Sequence, residues 1–307
     1  MSLPTPNLDL TAPDAAANAP PVIRKINDFV ELSKPRMNFL VLATTLVGFC
    51  TDAHIVTDWR LLAPTLIGTA LCAAAASALN QAWEHRHDAL MVRTRLRPIP
   101  AGKIAPIEAT LFGLILALLG TTALLLFVNP LTAIIGGLTI ICYVMLYTPL
   151  KRRTTLCTII GAIPGALPPV MGWTAVHHSL GPGALALFAI LFIWQIPHFL
   201  AIAILYKNEY SAGGFHMLPC DDTGLHATGR QIVLFSLALV PATFTPFMLA
   251  LAGTVYFAAA MVLGLAFLAF ALAAARARSR REARNLFLAS IVYLPVLLIF
   301  LVANRIS

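Results

Sequence analysis

Charge is what this sequence has least of. Only 11% of its 307 residues are Asp, Glu, Lys or Arg, while 59% are hydrophobic; a soluble domain carries about 25% charged residues. So little charge cannot coat a water-facing surface, which excludes a soluble globular protein. Cysteine is scarce too. Cys50, Cys72, Cys142, Cys157 and Cys220 include no two at metal-ligand spacing, and four lie in apolar runs. They read as small apolar fillers, not as a zinc or disulfide framework. The opening "MSLPTPNLDLTAPDAAANAP" lacks a basic n-region, an apolar h-region and the arginines of a transit peptide. It is expected to be a disordered tail, residues 1–21, ahead of a single membrane domain, 22–307, in a bacterial protein.

What is present is a series of long stretches without Asp, Glu, Lys or Arg. A helix needs roughly 20 apolar residues to cross a bilayer. Residues 37–51 give one short span and 61–83 a second. Residues 109–150 give two, turning at "VNP" (128–130), and 154–206 give two more, broken at "HHSLGPG" (177–183). Residues 231–275 give two, bending near Gly253, and 285–304 give one. The expected fold is all-α, a polytopic membrane bundle of about nine transmembrane helices.

With nine spans, the N-terminus and alternate loops share one side. That side takes every one of the 21 Lys and Arg residues except Arg60 and Arg305. Basic residues concentrate in cytoplasmic loops, so this face and the N-terminus are expected to be cytoplasmic. The net charge of +8 therefore reads as orientation. A nucleic-acid role is disfavoured, because the basic residues are spread over five segments. Residues 22–34, "VIRKINDFVELSK", are expected to form an amphipathic helix lying on the same face.

The second span ends in "NQAWEHRHD" (80–88). Asn80, Glu84 and Asp88 are spaced i, i+4, i+8, which puts all three on one helical face. Carboxylate and amide oxygens grouped so suit Mg²⁺, which binds through one or two carboxylates together with substrate phosphates. Arg93 and Arg97 follow, with planar donors for phosphate oxygens. His85 and His87 fall off that face and read as exposed. A second apolar helix, on the same side, ends in Tyr206, Lys207, Glu209 and Tyr210 ahead of Gly213 and Gly214. Two acidic clusters at two helix ends can clamp one diphosphate through metal. Asp221 and Asp222 read as loop carboxylates.

At this point the chain resembles the UbiA-type intramembrane prenyltransferases. "NQAWEHRHDALMVRTRLRPIPAG" is similar to their N-x-x-x-(D/E)-x-x-x-D…R-T-x-x-R-P motif. "YTPLKRRTTLCT", "GAIPGALPPVMGW", "WQIPHF" and "YKNEYSAGGFHMLP" resemble the branch that farnesylates haem. The resemblance implies a central cavity open to the cytoplasm in a bacterial inner membrane. It implies Mg²⁺-dependent transfer of farnesyl from farnesyl diphosphate to a vinyl carbon of haem b, water supplying a new hydroxyl. Haem b is then a substrate rather than a resident cofactor. Whether the product passes to a haem A synthase or terminal oxidase stays open. The implied metal set is Asn80, Glu84, Asp88 and Glu209. Two departures stand out: Glu84 occupies a position where many members have Asp, and "KNEY" offers Glu209 alone instead of two spaced aspartates.

Arg93, Arg97, Lys151 and Lys207 are assigned to the diphosphate, with Arg152 and Arg153 as topology signals. Tyr147 and Tyr206 are candidates for stabilising an allylic cation through their ring faces. His198 lies in a span, where an ionisable group suggests function; it is expected either to ligate haem iron or to take a proton from the added water. Trp194 and Gln195 are its neighbours. His177 and His178 read as loop residues on the opposite face. Pro164, Pro168 and Pro169 are expected to kink their helix. Two rivals remain: a prenyltransferase acting on an aromatic quinone precursor, and a multi-pass transporter. The second shows no internal repeat, and its ionisable groups gather at one face instead of the midplane.

Overall fold

The computed structural model describes residues 20–51 and 58–306. The expected tail therefore lies outside the described residues, apart from Pro20 and Pro21. Helix α1 (Pro21–Leu32) is short and amphipathic. Lys25 pairs with Glu108, Lys103 with Asp28, and Phe29 packs on Phe112. These contacts hold the helix against the loop and helix that follow the second span.

Eight helices are long and apolar enough to cross a membrane among the described residues. They are α3 (Trp59–Asp88), α4 (Pro106–Phe127), the unit from Pro130 to Leu150, α7 (Cys157–His177), α8 (Pro182–Leu205), the unit from His226 to Met248, α13 (Thr254–Ala277) and α14 (Arg280–Ala303). The short ninth, α2 (Pro35–Cys50), has 16 residues. Within the two units lie α5 (Pro130–Ile141) and α6 (Thr148–Leu150), then α11 (His226–Ala242) and α12 (Thr245–Met248). Two small helices, α9 (Lys207–Ala212) and α10 (Leu218–Asp221), follow α8. The chain is a multi-pass, all-helical membrane protein.

The turns fall where sequence chemistry puts them. Asn129 caps α5 by accepting from the Thr132 amide at 2.8 Å, and Pro130 fills the first helical position, where no amide donor is needed. Gly253 precedes α13, and "HHSLGPG" separates α7 from α8. The three prolines of α7 do not break it: the helix runs unbroken from Cys157 to His177. Its buried face is pressed onto α2, where Gly172 and Gly48 meet the Thr45 and Pro169 carbonyls so closely that a Cβ at either position would collide with backbone. Small residues at such a seam let helices approach when water cannot drive them together.

One local distortion positions the site. Pro149 has no amide proton and crowds the carbonyl four residues back. The helix relieves this by widening into a π turn over Cys142–Tyr147. The Thr148 hydroxyl takes up the Tyr143 carbonyl at 2.8 Å. As a result Tyr143, Tyr147, Thr148 and Lys151 all lie beside the end of α3.

Candidate functional site: an ionic cluster at the end of α3

Helix α3 has 30 residues, about 45 Å at 1.5 Å per residue. That exceeds the roughly 30 Å hydrocarbon core, so its polar last turns stand clear of the apolar layer. Yet they are not exposed. Asn80, Glu84 and Asp88 are only 2%, 3% and 1% accessible. Burying carboxylates demands partners, and the structure supplies cations. Lys151 donates to Glu84 Oε2 at 3.0 Å, and Arg97 to Asp88 Oδ2 at 2.7 Å. Asn80 Nδ2 bridges Glu84 Oε2 and the Thr148 hydroxyl, each at 2.9 Å. Thr94 donates to the last carbonyl of α3, that of Asp88, at 2.8 Å, which ends the helix and turns the chain so that Arg97 comes back over it.

Among the described residues, Glu84 Oε1 is buried and has no hydrogen-bond partner. An orphaned carboxylate oxygen in a dry site is costly unless something positive completes it. Burial by itself would lower the Lys151 ammonium, but the Glu84 carboxylate beside it outweighs this and helps hold Lys151 above its usual range. The same ammonium lies 4.4 Å from the centre of the Tyr147 ring. Tyr147 in turn rests on Gly161 of α7, where a Cβ would strike the ring.

Lys34 is the residue that sequence reasoning missed here. It joins α1 to α2 in a left-handed conformation, φ 47°, which a non-glycine residue adopts at a cost. The linker is pinned from α3: Ser77 and Gln81 both donate to the Leu32 carbonyl, at 2.9 and 2.8 Å. Lys34 thereby enters the field of Arg97, Lys151, Asp88 and Glu84, and makes no ion pair among the described residues. Burial first, then the Arg97 and Lys151 charges, push its ammonium down to about 7, against the pull of Asp88 and Glu84. The signal in the sequence is "LSKPR": a basic residue fixed between two helix ends by the proline after it.

The second motif behaves differently. Glu209 Oε2 accepts from the Arg93 amide at 3.0 Å, and the Arg93 guanidinium lies over the Tyr206 and Tyr210 rings at 5.1 and 5.8 Å. Glu209 is thus not gathered with Glu84 and Asp88, and among the described residues no three His, Cys, Asp or Glu side chains form a metal-holding group. Lys207 is turned toward the Asp222 carbonyl, 3.4 Å away, and not to the carboxylates of α3. Asp222 caps the start of α11 by accepting from the Thr228 amide and hydroxyl, and Asp221 lies 3.2 Å from His216. His87, read as exposed, instead bonds the Gly213 carbonyl at 3.0 Å and packs on Phe215, tying the two loops together.

Further along α8, His198 Nδ1 lies 2.7 Å from the Ser290 hydroxyl of α14, and its ring stacks on Trp194. Gln195 turns inward against Gly165. At the far end of α7, His177 stacks on Trp173 at 4.0 Å.

These features agree with what the chain is similar to. The UbiA prenyltransferase family profile matches residues 41–295. A protoheme IX farnesyltransferase of Solibacter usitatus is 40% identical over 290 residues, covering 91% of this chain and 99% of the relative. One from Myxococcus xanthus is 43% identical, covering 91% and 95%. Among solved structures, digeranylgeranylglyceryl phosphate synthase superposes with a TM-score of 0.76 at 17% identity, covering 91% of this chain and 98% of that one. A UbiA homolog from Archaeoglobus fulgidus, bound to DMAPP and Mg²⁺, gives 0.64 at 15%, covering 90% and 99%. At such identities the likeness speaks for the fold, whereas the extent of the profile match decides membership. The chain belongs to the UbiA prenyltransferase family.

Proposed function

We propose that the chain transfers farnesyl from farnesyl diphosphate to a vinyl group of haem b, with addition of water, giving a hydroxyethyl-farnesyl haem and diphosphate. The acceptor rests on relatives of that name at about 40% identity over nearly their whole length. The reaction class rests on one observation in the site, the buried Glu84 oxygen that lacks a partner beside two cations. This reading places the basic face and the N-terminus in the cytoplasm of a bacterial cell, with one domain from residue 22 onward.

Mg²⁺ fits this donor set: hard oxygens from Asn80, Glu84 and Asp88, one of them orphaned, with room in its preferences for substrate phosphates. Glu209, which is not gathered with these three, would serve only as a secondary ligand, through the oxygen that the Arg93 amide leaves free. When bound, the metal neutralises charge on the leaving diphosphate. The protein's own residues do the rest. Arg97 and Lys151 already neutralise Asp88 and Glu84, Arg93 would add positive charge from the neighbouring loop, and Lys34 would become charged as the diphosphate arrives. As the allylic C–O bond breaks, its electron pair stays on the diphosphate oxygen. Cations held in place beforehand stabilise that developing charge without rearranging.

The allylic carbon becomes electron-poor. The rings of Tyr147 and Tyr206 already carry Lys151 and Arg93 on their faces, so these aromatics favour positive charge. The vinyl terminal carbon of haem b forms the new C–C bond, its inner carbon takes water, and one proton is released. His198 is the candidate group on the haem side. Lys207, held by the Asp222 carbonyl, is left out of the clamp.

The test is turnover. Purified protein is given haem b, farnesyl diphosphate and Mg²⁺, and products are resolved by mass. A haem heavier by one farnesyl and one hydroxyl group, formed only with the divalent cation, is the expected result. Prenylation of an aromatic acid with haem untouched would place the chain in the quinone branch. Absence of prenyl transfer to any acceptor, with solute flux into vesicles, would favour a transporter.

A further inference from the structure

His198 is bonded to a hydroxyl on another helix. A histidine kept for packing alone is more simply satisfied by a backbone carbonyl. The hydroxyl belongs to Ser290, fully buried on α14. Its Oγ lies 2.7 Å from His198 Nδ1 and 2.6 Å from the Phe287 carbonyl oxygen. A carbonyl can only accept, and a serine hydroxyl has one proton to give. That proton goes to Phe287. Ser290 Oγ must therefore accept from His198, so the ring proton is on Nδ1 and the lone pair is on Nε2.

The ring is also held in place. Trp194, one turn earlier on α8, stacks on it at 4.9 Å and 22°, and Phe287 flanks it at 5.2 Å. Trp194 Nε1 donates to the Ser290 carbonyl at 3.1 Å, so Trp194 and His198 are both tied to the same residue of α14. Nε2 has no hydrogen-bond partner among the described residues. It is also not among the sealed, unpartnered polar atoms, so it stays reachable. No carboxylate contacts the ring among the described residues, which leaves nothing there to stabilise an imidazolium. A neutral imidazole with an oriented, open Nε2 is the form that ligates a transition metal, its other nitrogen donating to a supporting group.

We infer that Ser290 is a positioning residue that fixes His198 as the Nδ1–H tautomer and so presents Nε2 to the iron of the haem substrate. The inference rests on the reading of haem b as acceptor, and it selects iron ligation over proton transfer for His198. Ser290 itself touches no substrate; it acts through the imidazole.

The experiment uses full-length protein in nanodiscs, titrated with haem b alone, without farnesyl diphosphate. Optical spectra give affinity, and resonance Raman of the ferrous form gives the iron–histidine stretch. Wild type is expected to show that stretch. His198→Ala should lose it and regain a ligand band with added imidazole. Ser290→Ala should bind haem on the order of tenfold more weakly and shift the stretch to lower frequency, because Nδ1–H has lost its acceptor. Ser290→Thr, which keeps a hydroxyl, should restore both and excludes a mere folding effect. A stretch unchanged in Ser290→Ala but absent in His198→Ala would overturn the positioning role. An identical haem spectrum in His198→Ala would overturn iron ligation, and with it this inference, whereas the farnesyl-transfer reading is decided separately by the turnover assay. Wild type that binds no haem would overturn the acceptor reading and this inference with it.

Discussion

Two helix ends, each with carboxylate and lysine in close succession, look alike in the sequence and are built differently. At the end of α3 the acidic side chains are buried and face inward, and each meets a cation from beyond the helix: Lys151, 67 residues from Glu84, and Arg97, 9 residues from Asp88 and turned back over it. After α8, Glu209 is only partly buried and bonds a backbone amide, while Lys207 is spent on a carbonyl 15 residues ahead. The first arrangement concentrates charge in a dry place, where it acts strongly. The second shapes a loop. An acidic motif concentrates charge when burial forces it to find counter-charges, and the end of α3 does so under the cover of α1, α2 and the π turn.

Substitutions can break this contrast, and the largest effect belongs to α3. Glu84→Gln keeps the shape of the side chain and removes its charge; kcat/KM for farnesyl diphosphate should fall about 100- to 1,000-fold, measured in the turnover assay. Lys151→Met leaves Glu84 buried without its cation and should cost about 100-fold, with a lower thermal midpoint in detergent. Lys34→Gln should cost about tenfold, mostly in KM, and Lys34→Arg should recover most of it. Glu209→Gln is expected to cost less than about tenfold, since it loosens the Arg93 loop and removes only a secondary ligand. Lys207→Gln, at the small end, should stay within about twofold, as surface changes do. Equal losses at Glu84 and Glu209 would abolish the distinction between the two ends.

Much of the bundle was legible in advance because its rules are local. Runs without charge marked the spans, Asn129 with Pro130 marked a helix start, and the distribution of Lys and Arg divided the loops into two sets. The shared face of Asn80, Glu84 and Asp88 was legible because the three repeat at helical spacing within one segment. The direction of the Lys207 side chain, toward the Asp222 carbonyl, was not legible, because spacing places a residue on a helix and does not say which way a long side chain turns in a loop. Lys34 was missed because its role comes from Ser77 and Gln81 gripping the Leu32 carbonyl, a contact across more than 40 residues that no periodicity carries. Ser290 escaped for the same reason: in an apolar span a serine is silent until a histidine on another helix is found 2.7 Å away. The prolines of α7 lie inside a helix that runs unbroken from Cys157 to His177 and packs on α2.

The most direct test of the claim that the α3 end holds the metal and the diphosphate is a binding measurement. Mn²⁺, as a paramagnetic stand-in for Mg²⁺, is titrated with inorganic diphosphate into wild type, Glu84→Gln and Glu209→Gln, and bound metal is read by electron paramagnetic resonance. The account predicts that wild type and Glu209→Gln bind the pair with affinities within about tenfold, and that Glu84→Gln loses it. Binding retained in Glu84→Gln and lost in Glu209→Gln would contradict it.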